Sequence, residues 1–207
     1  MARFAALVAR PDDLLPLDQA VLLVAACDHA VDVGAQLVRL DRLAAECDGD
    51  SLDDVLGVLF GADGFRGDQR DYHHPDNSFL DRVLDRRRGL PILLSVLTAE
   101  VAARAGVCLA YVAMPGHVLL RDCEHPDRFV DPFHDGAVVD AAECRRLFEV
   151  INPTLPWDDR YLEPVDSRTI LRRVVANLVH SYSALGDHRA LSRARRLQAL
   201  TSQECLN

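Results

Sequence analysis

Apolar residues recur at three- and four-residue spacing through most of the first third of the chain, the period of helices with one buried face. Residues 17–29 are dense in Ala, Leu and Val, with Pro16 suited to a first helical turn. Leu37, Leu40 and Ala44 mark a second helix. Leu52, Val55, Leu56 and Leu59 form the stripe of a third, with Asp50 or Ser51 as its N-cap. Gly61, Gly64 and Gly67 break the pattern, and the polar stretch 65–77 predicts a loop. Ser78 is placed to cap a short helix over 79–87, closed by Gly89. Pro91 opens the most apolar helix, 92–105, and Gly106 ends it. Its apolar residues cover nearly every face, which predicts burial on all sides.

After Gly106 the texture changes. Residues 107–114 and 118–121 predict strands joined across Pro115-Gly116, and 128–131 a third, ended by Pro132. A short helix follows Asp140, and Pro153, Pro156 and Pro164 mark a connector. Residues 167–185 and 188–200 form two amphipathic helices across Gly186-Asp187, a hairpin about the length of one tetratricopeptide unit. Such a unit cannot bury its apolar face alone, so it must pack on the core or on a partner. The fold class this predicts is α+β. An N-terminal helical region (1–64) precedes a core (65–152), a linker (153–166) and a C-terminal helical hairpin (167–207).

Composition narrows the function. A chain of 207 residues can bury a core without disulfides or metal. Its net charge of −9 disfavours phosphate backbones, so no nucleic-acid partner is expected. No run approaches the roughly 20 apolar residues of a membrane span, so no membrane partner is expected either. The six cysteines are scattered without a CxxC pair, and the N-terminus lacks a cleavage site of the signal-peptide kind. Both point to a cytoplasmic protein with free thiols. Every side-chain cation other than histidine is arginine, as a GC-rich coding sequence would produce.

Several strings, in this order and spacing, resemble the SirB family of transglutaminase-like proteins. They are Phe65-Arg66-Gly67, Pro75-Asp76-Asn77-Ser78-Phe79-Leu80, Arg86-Arg87-Arg88-Gly89-Leu90-Pro91-Ile92, Pro115-Gly116-His117 and Phe129-Val130-Asp131-Pro132-Phe133. Leu171-Arg172-Arg173-Val174-Val175-Ala176-Asn177-Leu178 resembles that family's tetratricopeptide-like tail. The resemblance implies a papain-like, transglutaminase-like core with a Cys-His-Asp triad, the cysteine opening a buried helix. A helix N-terminus and an imidazolium both lower a thiol pKa, and a carboxylate orients the imidazole. By position His117 matches the histidine and Asp131 the aspartate, while the cysteine position holds Pro91. Members of the SirB branch look similar in this loss.

Ser95 lies a turn further along the helix, and Cys108 is expected to be a small buried apolar residue. His117 and Asp131 are either a remnant catalytic dyad or a hydrogen-bonded pair tying two strands. Asp76 and Asn77 either hold their loop by Asx bonding or, for Asn77, line the cleft near His117. Arg86, Arg87 and Arg88 complement a helix dipole or contact an anion or partner. His117, Cys123, His125 and His134 match no zinc spacing, so neither metal nor other cofactor is expected; His73 and His74 read as loop residues. Arg189, Arg193, Arg195 and Arg196 form either a solvated face or a docking surface. The reading is a non-catalytic module that binds a protein or peptide, with Asn77, Ser95 and Arg88 as binding candidates. Its alternative is a hydrolase or acyl transferase in which His117 and Asp131 act with Ser95 or an activated water. Oligomeric state is left open.

Overall fold

The structure, a computed structural model, describes residues 1–11, 14–61 and 64–202. Cys205 lies outside them. Helices α1 (Ala2–Val8), α2 (Leu17–Ala26), α3 (Val33–Ala45) and α4 (Leu52–Phe60) come first. Strand β1 (Arg66–Gly67) leads through a 3-10 turn, Pro75–Ser78, to α5 (Leu80–Arg86) and β2 (Arg88–Gly89). The central helix α6 (Pro91–Arg104) is followed by β3 (Leu109–Val112), β4 (Leu119–Asp122), β5 (Phe129–Asp131) and β6 (Ala137–Val139). Helix α7 (Ala141–Ile151), strand β7 (Pro164–Val165), and helices α8 (Ser167–Leu185) and α9 (His188–Thr201) complete the chain. Four strands of the antiparallel sheet, β3 to β6, follow one another in sequence with helices before and after them, as in an α+β arrangement.

Helix α6 is the axis of the core. Leu93, Leu94, Val96, Leu97, Val101 and Ala102 are fully buried. Helices α2, α3, α4, α5 and α8 pack against it, as do strands β3 and β4 of the sheet. Each fully buried leucine contributes about 1.5–3 kcal/mol by leaving water. The sheet has strand order β6-β5-β4-β3-β7, and every pairing in it is antiparallel. Among the described residues no helix is long and apolar enough to cross a membrane.

Caps and turns account for most boundaries. Ser51 accepts from the Asp54 amide at the start of α4. Asp140 and Glu143 form a reciprocal capping box on α7. Gly186 closes α8 at φ +70°. Other expectations are corrected. Ser78 caps nothing; it ends the 3-10 turn with its buried hydroxyl unpartnered. Arg87, at φ 53°, closes α5, whereas Gly89 continues into β2 because the chain must turn back to pair with β1. Helix α1 has no side-chain cap and follows no strong periodic signal. Tertiary contacts hold it: Phe4, Leu7 and Val8 are buried, and Arg168 donates to the carbonyls of Val8 and Arg10.

The connector is not free of the core, since Pro164 and Val165 pair with Val112 and Tyr111 at the sheet edge, where a proline costs no ladder bond. The hairpin packs on its own core: Ile170, Leu171, Val174, Val175 and Leu178 of α8 are buried. Arg193 bonds Asp28 at 2.7 Å, while Arg189, Arg195 and Arg196 stay exposed. The free-thiol expectation fails for one pair. Cys108 is exposed, not buried, and forms a disulfide with Cys123. Pairing of Leu109 with Asp122 places these cysteines opposite each other one residue beyond, 5.5 Å apart at Cα. Cys27, Cys47 and Cys144 are free, and burial pushes the Cys144 thiol up to about 12.

Candidate functional site

Asp131 is the last residue of β5 and the N-cap of a 3-10 turn, Pro132–His134. Proline at the first position of that turn suits an aspartate cap, which takes the orphan amides. Its Oδ1 accepts from the Phe133 amide at 3.0 Å and the His134 amide at 3.4 Å. Asp131 is 2% exposed, and both its oxygens lie 3.0 Å from His117 Nε2. His134 Nδ1 meets Oδ2 at 2.7 Å. One buried carboxylate therefore holds two imidazoles and two backbone amides.

His117 follows the tight Pro115-Gly116 turn, where Gly116 stands at φ +78°. The His117 amide donates to the Met114 carbonyl at 3.2 Å. From the tail, Arg173 donates to the carbonyls of Met114 at 2.9 Å and His117 at 3.2 Å. The Phe133 ring stands edge-on to His117, at 86° and 6.0 Å. With Nε2 donating to the carboxylate, a neutral His117 ring leaves Nδ1 as an acceptor. No described residue hydrogen-bonds to Nδ1.

His117 opens into a cavity of about 230 Å³ lined by Tyr72, Pro91, Ile92, Gly116, Val118, Arg173 and Asn177. Pro91 opens α6 there, so the helix N-terminus faces the cavity without a side-chain nucleophile on its first residue. No Cys, Ser or Thr is among those lining residues. Ser95 is fully buried and donates to the Val118 carbonyl at 3.2 Å, away from the lining. Burial raises the Tyr72 pKa against the opposing Arg173 charge. Burial likewise lowers that of Arg173, and Tyr72 opposes the shift.

Asn77 is fully buried and does not line the cavity. Its amide donates back to the carbonyls of Asp71 at 2.7 Å and Tyr72 at 3.4 Å, upstream rather than two residues on. Its Oδ1 accepts from Arg86, which also bonds Asp68 at 2.9 Å. Burial opposes the charged form of Asp68, but hydrogen bonds from Asp71 and Asn77 and the Arg86 charge lower its pKa. Asn77 thus positions Tyr72 through the backbone. The exposed His74 ring accepts from the Asp76 amide, a local cap on the same loop. Arg88 lines a separate cavity beyond His134. Tyr72, Arg173 and Asn177 were not singled out from sequence. One signal was present: Arg173 and Asn177 lie four apart, on one face of α8.

The metal expectation meets a surprise. A ring nitrogen of His117, one of His134 and a carboxylate oxygen of Asp131 all lie within 4.8 Å of one another. The grouping joins the β5 end and its turn to the residue that follows Gly116, which no linear ligand spacing announces. These atoms already satisfy one another as hydrogen bonds, so a metal would have to displace ring protons.

Burial disfavours the charged form of Asp131, yet hydrogen bonds from His117 and His134, with their charges, hold its carboxyl well below the usual carboxylate range. The Asp131 hydrogen bond raises the His134 pKa despite burial. The signs oppose. Stability from Asp131 is present above its unfolded pKa of about 3.9 and is lost as pH falls through the folded value. Stability from His134 is full below about 6.5 and is lost as pH rises through its raised value. Urea midpoints of wild type and His134→Ala should therefore differ most near pH 5–6, and the gap should narrow as pH rises through the raised His134 value. A gap that widens with alkali would disprove the assignment.

Helical core, antiparallel meander and an aspartate-held histidine facing a helix N-terminus define a class. Residues 25–176 match the family described as Transglutaminase-like superfamily, and the chain belongs to it. The UPF0162 protein of Xylella fastidiosa is 36% identical over 189 residues, covering 83% of this chain. The UPF0162 protein of Pseudomonas aeruginosa is 32% identical over 183 residues, again 83% of this chain. The chain spans 66% of the length of each of these relatives. F-box only protein 21 of Mus musculus is 31% identical over 138 residues, covering 62% of this chain and 21% of that protein. No solved structure matches the chain.

Proposed function

We propose that this chain is a SirB-type, non-catalytic member of the superfamily whose cleft binds a peptide segment of a protein partner. The supporting observation is the cavity beside His117. It has an unpartnered Nδ1, Tyr72, Arg173 and Asn177 as polar groups, and Pro91 at the helix N-terminus. An acyl-transfer enzyme needs a nucleophile within hydrogen-bond reach of its base. Here the lining offers a base and recognition groups without a thiol or aliphatic hydroxyl. Beside the cavity, the half-exposed Ile151 packs against the Gly116 turn and adds apolar contact. Recurrence of related sequence as 21% of F-box only protein 21 fits a module used in different settings.

The rival reading is hydrolysis by a water activated at Nδ1, because the cavity is roomy enough to hold water. Peptides selected from a random display library should bind saturably. Arg173→Ala or His117→Ala should weaken a selected peptide by about tenfold or more, the worth of a charged or buried hydrogen bond. Activated esters and glutamine amides should turn over no faster than in buffer. Turnover that disappears in His117→Ala would replace this reading with the hydrolase.

A further inference from the structure

We propose that the cavity framed by Arg66, Arg70 and Arg88 binds the phosphate group of a small phosphorylated molecule. It is distinct from the His117 cleft, so the inference goes beyond the peptide-binding reading and stands or falls separately. The cavity has a volume of about 380 Å³ and lies against Phe133 and His134. That is within the range of about 300–1,000 Å³ typical of small-molecule sites.

The charge arrangement carries the argument. Strands β1 and β2 are parallel, and Arg66 pairs in register with Arg88. Two like charges are thereby held side by side, an arrangement that disfavours the fold unless something neutralises them. Arg70 joins them from the following loop. The neighbouring arginines are engaged elsewhere: Arg86 bonds Asp68 and Asn77, and Arg87 lies over the Phe65 ring at 5.8 Å. Arg66, Arg70 and Arg88 form no ion pair with any described residue, in a protein of net charge −9 with acids to spare. Among the described lining residues the one carboxylate is Asp135. An excess of two positive charges remains, which matches the roughly −1.5 to −2 of a phosphomonoester better than the single charge of a carboxylate. Guanidinium forks suit phosphate oxygens in bidentate fashion.

One wall rests on a close approach of β1 to the Pro132–His134 turn. A Cβ on Gly67 would lie 2.5 Å from both the ring and the carbonyl oxygen of Phe133. Only glycine lets β1 approach the Pro132–His134 turn this closely. Gln69 supplies an uncharged amide at the edge.

Isothermal titration of the full chain with pyrophosphate, at fixed ionic strength, tests the proposal. Saturable binding is expected, with orthophosphate competing more weakly. Arg66→Ala/Arg70→Ala should weaken pyrophosphate by about tenfold or more, since each removes a charge-assisted hydrogen bond. Both residues are exposed, so the double variant should fold, as circular dichroism would verify. Arg189→Ala/Arg195→Ala, two exposed arginines of α9, should leave binding unchanged. The proposal is overturned by absence of saturable binding at millimolar pyrophosphate. Equal weakening by the α9 pair would overturn it too, as would a tetraglutamate peptide that binds as tightly as pyrophosphate.

Discussion

Asp131→Ala should lower the unfolding free energy by about 3–5 kcal/mol, the loss expected when one partner of a buried ionic cluster is removed. The carboxylate serves several donors at once: His117 Nε2, His134 Nδ1 and the amides of Phe133 and His134. Alanine leaves the ring nitrogen of His117, itself 4% exposed, without its carboxylate partner. It also removes the cap of the Pro132–His134 turn, worth about 1 kcal/mol by itself. Asp131→Asn retains an acceptor of the same shape, so it should cost less, about 1–2 kcal/mol. Urea denaturation of the two variants decides the matter. Equal losses would mean that shape, not charge, holds the cluster; a negligible loss for alanine would mean that water replaces the carboxylate freely.

Arg86→Ala should destabilise by about 2–3 kcal/mol, somewhat less than a wholly buried pair because its side chain is 32% exposed. The guanidinium joins Asp68, whose side chain is 5% exposed, to the Oδ1 of the fully buried Asn77. Without it, the buried amide oxygen of Asn77 loses its side-chain donor, and the buried Asp68 carboxylate loses its charged partner and keeps the Asp71 amide. The consequence for the cleft is indirect. Asn77 holds the carbonyls of Asp71 and Tyr72, and Tyr72 lines the cavity beside His117. Arg86 is thus a positioning residue. Arg86→Lys, which keeps the charge but not the fork, should recover part of the stability and little of the peptide affinity. Native-state hydrogen exchange should show residues 70–78 opening more readily in Arg86→Ala than in wild type. Unchanged protection there would disprove the coupling.

Periodicity along the chain already located most helices. Leu52, Val55 and Leu59 define α4 with Ser51 as its cap, and Pro91 and Gly106 bracket α6, because apolar stripes and caps are local in sequence. The meander was legible for the same reason, with Gly116 at its tightest turn. Short strands were not. Residues 66–67, 88–89 and 164–165 are too brief for a two-residue alternation to show, and each exists only through its partner strand. Helix α1 escaped because burial of Phe4 and two bonds from Arg168, 158 and 160 residues away, hold it in place of a cap.

The site divides in the same way. His117, Asp131 and Pro91 could be named from motif order, and the structure brings all three to one region, with Asp131 behind the histidine and Pro91 in the cavity before it. Ser95 and Asn77 turned inward to carbonyl partners, since their neighbours left buried backbone oxygens to satisfy. Sequence by itself determined the helical layers, the meander, and the proline at the head of α6, because each depends on residues within a few positions. Only tertiary structure decided that the tail supplies Arg173 and Asn177 to the cleft, that His134 shares Asp131, and that Arg66 stands beside Arg88. Those meetings join segments far apart along the chain or set by a turn's geometry, and packing rather than local preference brings them together.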